Sequence, residues 1–169
     1  MPTPPKKHMQ RRSIRWRGYD YTQNGAYFVT LCTHDRSHML DNTILKQIVQ
    51  KTWDDLPKRF PSIVLDEFVI MPNHVHFVLR IESVGSDTEK KAGASPAPTL
   101  GDVVGAFKSL SARGWLKWVR ENESDKSARL WQRNYYDRVI RNEMELNRIR
   151  QYIRNNPAQW AQDHENPHR

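Results

Sequence analysis

Four short runs of β-branched and aromatic residues stand out in the hydropathy pattern of this chain. Runs of this kind, bounded by turn residues, are typical of β-strands. They cover residues 26–33, 63–70, 75–81 and 135–140. The second and third runs are separated only by a short turn containing Pro72-Asn73. Because Pro-Asn is favourable turn chemistry, we predict that these two strands form an antiparallel hairpin.

Between and after these strands, apolar residues recur at the three- and four-residue spacing of amphipathic helices. The predicted helices cover residues 42–59, 100–120 and 142–155. Pro57 and Pro61 mark the end of the first helix and Pro157 the end of the third, because proline lacks the amide hydrogen and disfavours the α conformation in the preceding residue. Asn142, with Glu145 three residues on, is close to a capping box at the start of the third helix.

The predicted elements follow the order β-α-β-β-α-β, with one further helix at the end. This order matches the split βαβ, ferredoxin-like arrangement. We therefore predict an α+β protein in which residues 19–160 form a single domain around an antiparallel sheet. Residues 1–18 are rich in proline, lysine and arginine and are interpreted as a flexible basic arm, residues 83–98 as a mobile loop, and residues 161–169 as a polar tail.

Charge and cysteine content narrow the function classes. Lys and Arg number 27 and Asp and Glu 19, which gives a formal net charge of +8 in 169 residues. A balance this basic favours a polyanionic partner such as nucleic acid, although a basic soluble protein without such a partner has the same composition. The single cysteine, Cys32, excludes a disulfide framework and a cysteine-rich zinc site. With no secretory signal and no apolar run near the ~20 residues of a membrane helix, we expect a soluble, cytoplasmic protein.

The triplet His74-Val75-His76 opens the third predicted strand. Residues two apart on a strand point to the same face, so both imidazoles leave one side of the sheet while Val75 faces the core. Two neutral imidazoles held side by side suit a divalent metal ion. Two half-exposed polar residues would give the same pattern. The apolar residues on both sides of the triplet favour the metal site, because ligation offsets the desolvation of the rings.

The last predicted helix carries a phenol and an amide four residues apart, Tyr152 and Asn156. Residues at this spacing share one helix face, with Cβ atoms about 5–6 Å apart, so both groups can approach a third object together. A tyrosine beside an apolar stripe is more often a core residue, and an asparagine before proline more often ends a helix. The pair therefore indicates a site only in combination with another feature.

Three segments of the chain resemble one family of enzymes. Met71-Pro72-Asn73-His74-Val75-His76 resembles the metal-binding strand of the HUH single-strand nucleases, named for a His, hydrophobic, His sequence. Trp131-Gln132-Arg133-Asn134-Tyr135-Tyr136-Asp137-Arg138-Val139-Ile140-Arg141 resembles the segment that leads to their catalytic helix, and Tyr152-Ile153-Arg154-Asn155-Asn156-Pro157 the end of that helix. The likeness spans roughly residues 27–160. It is nearest to the REP-associated tyrosine transposases, in the single-tyrosine branch of this superfamily.

The resemblance implies a metal-dependent endonuclease and strand transferase for single-stranded DNA, which forms a 5′-phosphotyrosine intermediate at hairpin-flanked sites. The implied site residues are the nucleophile Tyr152 and the metal ligands His74, His76 and Asn156. Many relatives have Gln where this chain has Asn156. Tyr135 and Tyr136 compete for the role of nucleophile, but neither has a ligand one helical turn away. Arg148 or Arg154 is expected to help the metal lower the pKa of the phenol.

The resemblance also implies the cofactor and the partner. The metal is expected to be Mg²⁺ or Mn²⁺, although two imidazoles alone would also suit zinc. The expected partner is single-stranded or hairpin DNA, bound by a monomer or homodimer in the bacterial cytoplasm, associated with the nucleoid. Basic groups interleaved with aromatics predict the DNA contacts, with Trp16 and Trp115 stacking on bases. The basic candidates are Arg11, Arg12, Arg15, Arg17, Lys108, Arg113 and Lys117.

Three other readings of the sequence stay open. A non-catalytic nucleic-acid-binding ferredoxin-like domain would share the fold, but no run here fits the aromatic consensus of RNA-recognition domains. A metal phosphodiesterase that uses water as its nucleophile would leave Tyr152 a structural residue. A small zinc-stabilised module would need four ligands, more than the sequence offers.

Overall fold

The computed structural model describes residues 24–82, 98–122, 124–163 and 166. The strands are β1 (Gly25–Cys32), β2 (Ile63–Met71), β3 (His74–Ile81) and β4 (Tyr136–Ile140). The α-helices are α1 (Thr43–Arg59), α2 (Leu100–Glu121) and α3 (Glu143–Asn155). Short 3-10 helices cover His34–Arg36, Met39–Asp41 and Asn156–Gln162. None of the helices in these ranges has the length and apolar character needed to cross a membrane.

The predicted basic arm at 1–18 and nearly all of the predicted loop at 83–98 lie outside the described residues. Within them, the elements follow the predicted order. The sheet order is β2-β3-β1-β4, and all neighbouring strands are antiparallel. The α+β, ferredoxin-like fold predicted from the sequence is therefore confirmed.

The hairpin that carries the histidines is also confirmed. Met71 pairs with His74 across the two turn residues Pro72 and Asn73. Asn73 is fully buried, and its carbonyl oxygen accepts hydrogen bonds from the amide (2.9 Å) and the hydroxyl (3.0 Å) of Thr33. These bonds tie the turn to the end of β1 and so fix the starting point of β3.

Helices α1 and α2 cover one face of the sheet, where the main core of the described residues lies. Val75 and Phe77 of β3 are fully buried in this core. The Phe77 ring lies 4.9 Å from the ring of Trp53 on α1 and 5.9 Å from that of Phe107 on α2. Val75 thus faces the core, as predicted.

Helix α3 covers the opposite face of the sheet. Its buried apolar residues, Leu146 and Ile153, pack with Val78 of β3 in a second, smaller cluster. Because neighbouring residues on a strand point to opposite faces, His74 and His76 lie on the α3 side. The histidine pair is therefore enclosed between the sheet and the last helix.

The predicted start of α3 is confirmed with one change. The side chain of Asn142 accepts a hydrogen bond from the amide of Glu145 at 2.8 Å, as a helix N-cap does. The Glu145 carboxylate reaches one residue further back than in a capping box and accepts from the amide of Arg141 at 3.0 Å. Both bonds satisfy amides at the start of the helix, and together they hold α3 to the end of β4.

Helix α1 ends at Arg59, as predicted, and it continues through Pro57 before it stops ahead of Pro61. Proline removes one intrahelical hydrogen bond, and so close to the end of a helix that loss is tolerated. The amide of Phe60 still donates to the carbonyl of Leu56 at 2.9 Å. Pro157 follows the end of α3, yet the chain continues directly as a 3-10 helix with this proline in its first turn.

Candidate functional site

The two histidines predicted to bind a metal lie side by side at the start of β3. His74 is 0 % exposed and His76 is 1 % exposed. Nε2 of one ring lies 3.0 Å from Nε2 of the other, and the ring centroids are 4.4 Å apart. Burial and convergence together argue against the interpretation of the pair as half-exposed polar residues.

The other ring nitrogen of each histidine is held by a neighbouring side chain. Nδ1 of His74 lies 2.8 Å from Oδ1 of Asn73, and Nδ1 of His76 lies 2.8 Å from Oγ1 of Thr30, its partner across β1. An amide oxygen only accepts hydrogen bonds, so this contact favours the tautomer of His74 with the proton on Nδ1, in which Nε2 keeps its lone pair. Such partners fix the orientation of metal-binding imidazoles in many proteins.

Tyr152 lies on α3 at the edge of the histidine pair. Its hydroxyl oxygen is 3.3 Å from Nε2 of His76, and the two ring centroids are 5.4 Å apart. Its ring and that of Phe28 of β1 form a T-shaped pair with centroids 6.1 Å apart. The residue is 37 % exposed, so its hydroxyl is at the histidine pair while part of the side chain stays open to solvent. Tyr152 is therefore at the boundary between the buried histidine pair and solvent.

Asn156 follows α3 directly and keeps helical backbone angles, which places it one turn beyond Tyr152. It is 2 % exposed. Its Nδ2 donates to Oδ2 of Asp163 at 2.9 Å. Its Oδ1 is buried with no hydrogen-bond partner among the described residues. Because a buried acceptor without a partner is costly, this oxygen fits a role as ligand to a bound cation.

Asp163 is a candidate ligand that the sequence did not reveal. Its side chain is 2 % exposed, and Oδ2 lies 3.9 Å from Nε2 of His74. One ligand atom each from His74, His76 and Asp163 lies within 4.8 Å of the others, so these three buried groups can hold a metal ion. A carboxylate buried at this depth needs a compensating charge or strong hydrogen bonds.

The fold of the segment after Pro157 explains why Asp163 was not predicted. The 3-10 helix Asn156–Gln162 turns the chain back over the sheet, and the Trp160 ring lies 5.9 Å from that of His74. The sequence interpretation placed Asp163 in a polar tail, because nothing local in its spacing points to burial. The aromatic Trp160 was the available signal that this segment packs against the domain.

Arg148 and Arg154, the two arginines expected to lower the pKa of the Tyr152 phenol, have other surroundings in the structure. Arg154 donates to the carboxylate of Glu67 on β2 from both Nε and Nη2, and this contact raises the pKa of Arg154. The Arg154 guanidinium thus forms an ion pair with Glu67. Arg148 lies exposed on α3.

Of the basic residues predicted to bind DNA, four lie outside the described ranges: Arg11, Arg12, Arg15 and Arg17. The Nζ of Lys108 donates to the carbonyl oxygens of Gln132 at 2.7 Å and Arg133 at 2.8 Å. Burial lowers the pKa of Lys108. The two hydrogen bonds from the Lys108 side chain hold the segment before β4 against α2.

Arg113 and Lys117 lie on the outer surface of α2, where they line a shallow groove with Leu116 and Arg120. Since α2 covers the sheet face opposite α3, these cations are on the other side of the sheet from the histidine pair. The structure therefore does not bring Arg113 and Lys117 to the predicted metal site at His74 and His76.

The expectation that Trp115 stacks on DNA bases is wrong. This residue is 1 % exposed, and its Nε1 donates to the carbonyl of Ser127 at 2.8 Å. Its ring stacks on Trp118 with centroids 5.0 Å apart. Trp115 is thus a core residue on the apolar side of α2. Trp16, the other tryptophan proposed to stack, lies outside the described residues.

The competing tyrosines Tyr135 and Tyr136 lie at β4, on the far side of β1 from the histidine strand. Tyr136 pairs with Thr30 of β1, which in turn pairs with His76. Two strand spacings, about 10 Å, therefore separate the backbone of Tyr136 from that of His76. Tyr135 packs against the main core on the opposite face.

These observations define an α+β protein with a ferredoxin-like sheet, a buried histidine pair and a tyrosine beside it. No known family model matches the sequence. The chain is 36 % identical over 170 residues to a Haemophilus influenzae protein described as uncharacterized, with 90 % of this chain and 91 % of that protein covered. The chain belongs to the same family as that protein.

Two solved structures have a similar fold. One is a REP-associated tyrosine transposase bound to a REP hairpin, with a TM-score of 0.60, 18 % identity, and 86 % of this chain and 73 % of that one covered. The other is a Deinococcus radiodurans protein described as a candidate transposase, with a TM-score of 0.50, 23 % identity, and 83 % and 95 % covered. At these identities the likeness establishes a shared fold. This fold is the one expected from the resemblance of the sequence motifs.

Proposed function

We propose that the chain is a metal-dependent single-stranded DNA endonuclease and strand transferase, a transposase-type enzyme in which Tyr152 is the nucleophile. The observation that carries this proposal is the hydroxyl of Tyr152 at 3.3 Å from Nε2 of His76, which converges with His74. The fold shared with a transposase bound to hairpin DNA supports DNA as the substrate, as does the net charge of +8.

The side chains around the two Nε2 atoms fit a divalent cation. The donors are two imidazole nitrogens, the buried Asp163 carboxylate and the Asn156 oxygen that has no partner among the described residues. A cation would supply that partner and balance the buried carboxylate. We propose Mn²⁺ or Mg²⁺, of which Mn²⁺ better accommodates nitrogen ligands. A divalent ion held by these residues would supply Lewis-acid polarisation of a phosphodiester.

In the proposed reaction the Tyr152 oxygen attacks a phosphorus atom of the DNA backbone. The bond from this oxygen to phosphorus forms and the bond from phosphorus to O3′ breaks, which leaves a 5′-phosphotyrosine. The phenol gives up its proton, and the departing 3′ oxygen gains one to become a hydroxyl. When a second 3′-hydroxyl attacks the phosphotyrosine, the strands are rejoined. The number of phosphoester bonds stays constant, so no ATP is consumed.

A labelled-adduct assay tests this proposal. The protein is incubated with Mn²⁺ and a single-stranded hairpin oligonucleotide labelled at its 3′ end, then separated on a denaturing gel. A slow-migrating adduct that carries the 3′ label is expected, and a 5′ label is expected on a released fragment. Tyr152→Phe should abolish the adduct and retain DNA binding, while the matched variant Tyr136→Phe should form it.

The outcomes separate the competing functions. An adduct formed by Tyr152→Phe would show that another residue is the nucleophile. Cleavage without any adduct would indicate a metal phosphodiesterase that uses water. Binding without cleavage in any divalent ion would indicate a non-catalytic nucleic-acid-binding domain.

A further inference from the structure

The edge strand β2 contains a β-bulge on the side of the sheet that α3 covers. Between Leu65 and Phe68, the two residues Asp66 and Glu67 stand opposite the single residue Val78 of β3. Leu65 and Phe68 both pack against the main core. A regular strand would point Asp66 and Glu67 to opposite faces, whereas the bulge leaves both carboxylates facing α3.

Both carboxylates bind arginines of α3. Nε of Arg150 donates to Oδ1 of Asp66 at 2.8 Å, and Nη2 donates to Oδ2 at 2.5 Å. Arg154 makes its two-nitrogen contact with Glu67 one helical turn further on. The Asp66 side chain is only 9 % exposed, so water screens this pair weakly. The four residues are named the β2–α3 clamp.

The clamp and Tyr152 lie on opposite flanks of the apolar stripe of α3. At about 100° per residue, Arg150 and Arg154 project to one side of Ile153, while Tyr152 and Asn156 project to the other. Apolar burial is not directional, so the stripe holds α3 on the sheet but resists rotation about the helix axis weakly. Two-point Arg–carboxylate contacts are directional and resist this rotation.

We propose that Asp66 and Glu67 are positioning residues, which set the rotation of α3 and thereby hold the Tyr152 hydroxyl beside His76. The expected effect of the clamp on the reaction rests on the proposed function. The effect of the clamp on the position of Tyr152 is independent of that function and can be measured in the protein without DNA. A clamp that merely added stability would leave both the reaction rate and the surroundings of Tyr152 unchanged.

The test variant combines Asp66→Asn with Glu67→Gln, which keeps the side-chain shapes and removes the charges. The matched control is Asp55→Asn on α1, where the carboxylate binds Lys51 at 2.9 Å and Lys58 at 2.6 Å. At saturating hairpin DNA and Mn²⁺, adduct formation by the test variant should be at least about tenfold slower, because small misplacements of a nucleophile are costly. Its Kd for DNA should stay within about twofold of wild type. The control should match wild type in both.

The second measurement is NMR of the Tyr152 ring in the DNA-free protein. Its contacts with the rings of His76 (5.4 Å) and Phe28 (6.1 Å) predict strong ring-current effects on its signals. These signals should move in the test variant and stay in place in Asp55→Asn. Exchanging the charges, Glu67→Arg with Arg154→Glu, should restore the signals and the rate relative to Glu67→Arg alone.

Unchanged Tyr152 signals and an unchanged rate in the test variant would overturn the inference. So would an equal loss in Asp55→Asn, or no restoration by the charge exchange. If wild type forms no adduct at all, the proposed function fails, and the NMR measurement still decides whether the clamp positions Tyr152.

Discussion

The hydroxyl of Tyr152 lies 3.3 Å from Nε2 of His76, although 76 positions separate the two residues in sequence. Helix α3 supplies the phenol and β3 supplies the imidazole. The same Nε2 lies 3.0 Å from that of His74. The phenol and the histidine pair therefore form one continuous candidate site.

Mn²⁺ is expected to stabilise the folded protein against heat. A ligand that binds only the folded state at 100 times its Kd adds about 2.7 kcal/mol, which in a chain of this size raises Tm by about 5–10 °C. Thermal melts with Mn²⁺ and with EDTA measure the shift. His76→Ala should lose it. A shift of the same size in His76→Ala would place the metal elsewhere.

Asn156→Ala is expected to weaken Mn²⁺ binding by about tenfold or more, because it removes the buried Oδ1 that lacks a partner among the described residues. The control is Asn155→Ala, one residue earlier and exposed. Titration of free Mn²⁺ by electron paramagnetic resonance gives the Kd of each variant without DNA. Equal affinities in the two variants would remove Asn156 from the ligand set.

Asp163→Asn is expected to weaken Mn²⁺ binding by about tenfold, since it removes a negative charge from the buried cluster with little change of shape. Asp35→Asn is the matched control, because that carboxylate is 83 % exposed in the short 3-10 helix His34–Arg36. The same titration applies. If Asp163→Asn binds as tightly as wild type, its carboxylate is not a ligand.

Two glycines of α2 should respond oppositely to alanine. A Cβ at Gly114 would lie 2.8 Å from Cγ2 of Ile48 on α1, a stiff β-branched side chain, whereas a Cβ at Gly105 meets nothing within 4 Å. Gly105→Ala should stabilise the protein by about 0.5–1 kcal/mol through helix propensity. Gly114→Ala should destabilise it by about 1–3 kcal/mol through overpacking. Urea unfolding measures both, and a gain in Gly114→Ala would contradict the close packing of α1 on α2.

Glu145 should contribute stability that is lost in acid. The Arg141 amide, with the nearby Arg138 guanidinium, lowers the pKa of Glu145. Because the folded-state pKa is the lower one, the contribution is complete above the unfolded value near ~4.3 and disappears as the pH falls through the folded value. Glu145→Gln should cost up to about 1 kcal/mol at pH 7 and less at pH 3. Unfolding free energies at both pH values check this, with Glu121→Gln on α2 as the control; a difference that grows in acid would contradict it.

Much of the fold and half of the site follow from local periodicity. The alternation of a strand requires His74 and His76 to lie on one face and Val75 on the other. The helical repeat requires Tyr152 and Asn156 to lie on one face of their helix. Since these relations depend only on backbone geometry within one element, they could be predicted from the sequence. The order of the elements, in turn, limited the sheet to a ferredoxin-like arrangement.

Only the tertiary structure decided which elements meet. Packing of α3 over the histidine face brought Tyr152 to His76, and the 3-10 turn after Pro157 buried Asp163 beside His74. A bulge in β2 reversed the alternation at Asp66 and Glu67, which strand periodicity places on opposite faces. These outcomes depend on contacts between residues far apart in the chain, whose energies no local pattern contains. The sequence by itself therefore determined which residues share a face within each element, and long-range packing brought these pairs together and added Asp163 to the candidate site.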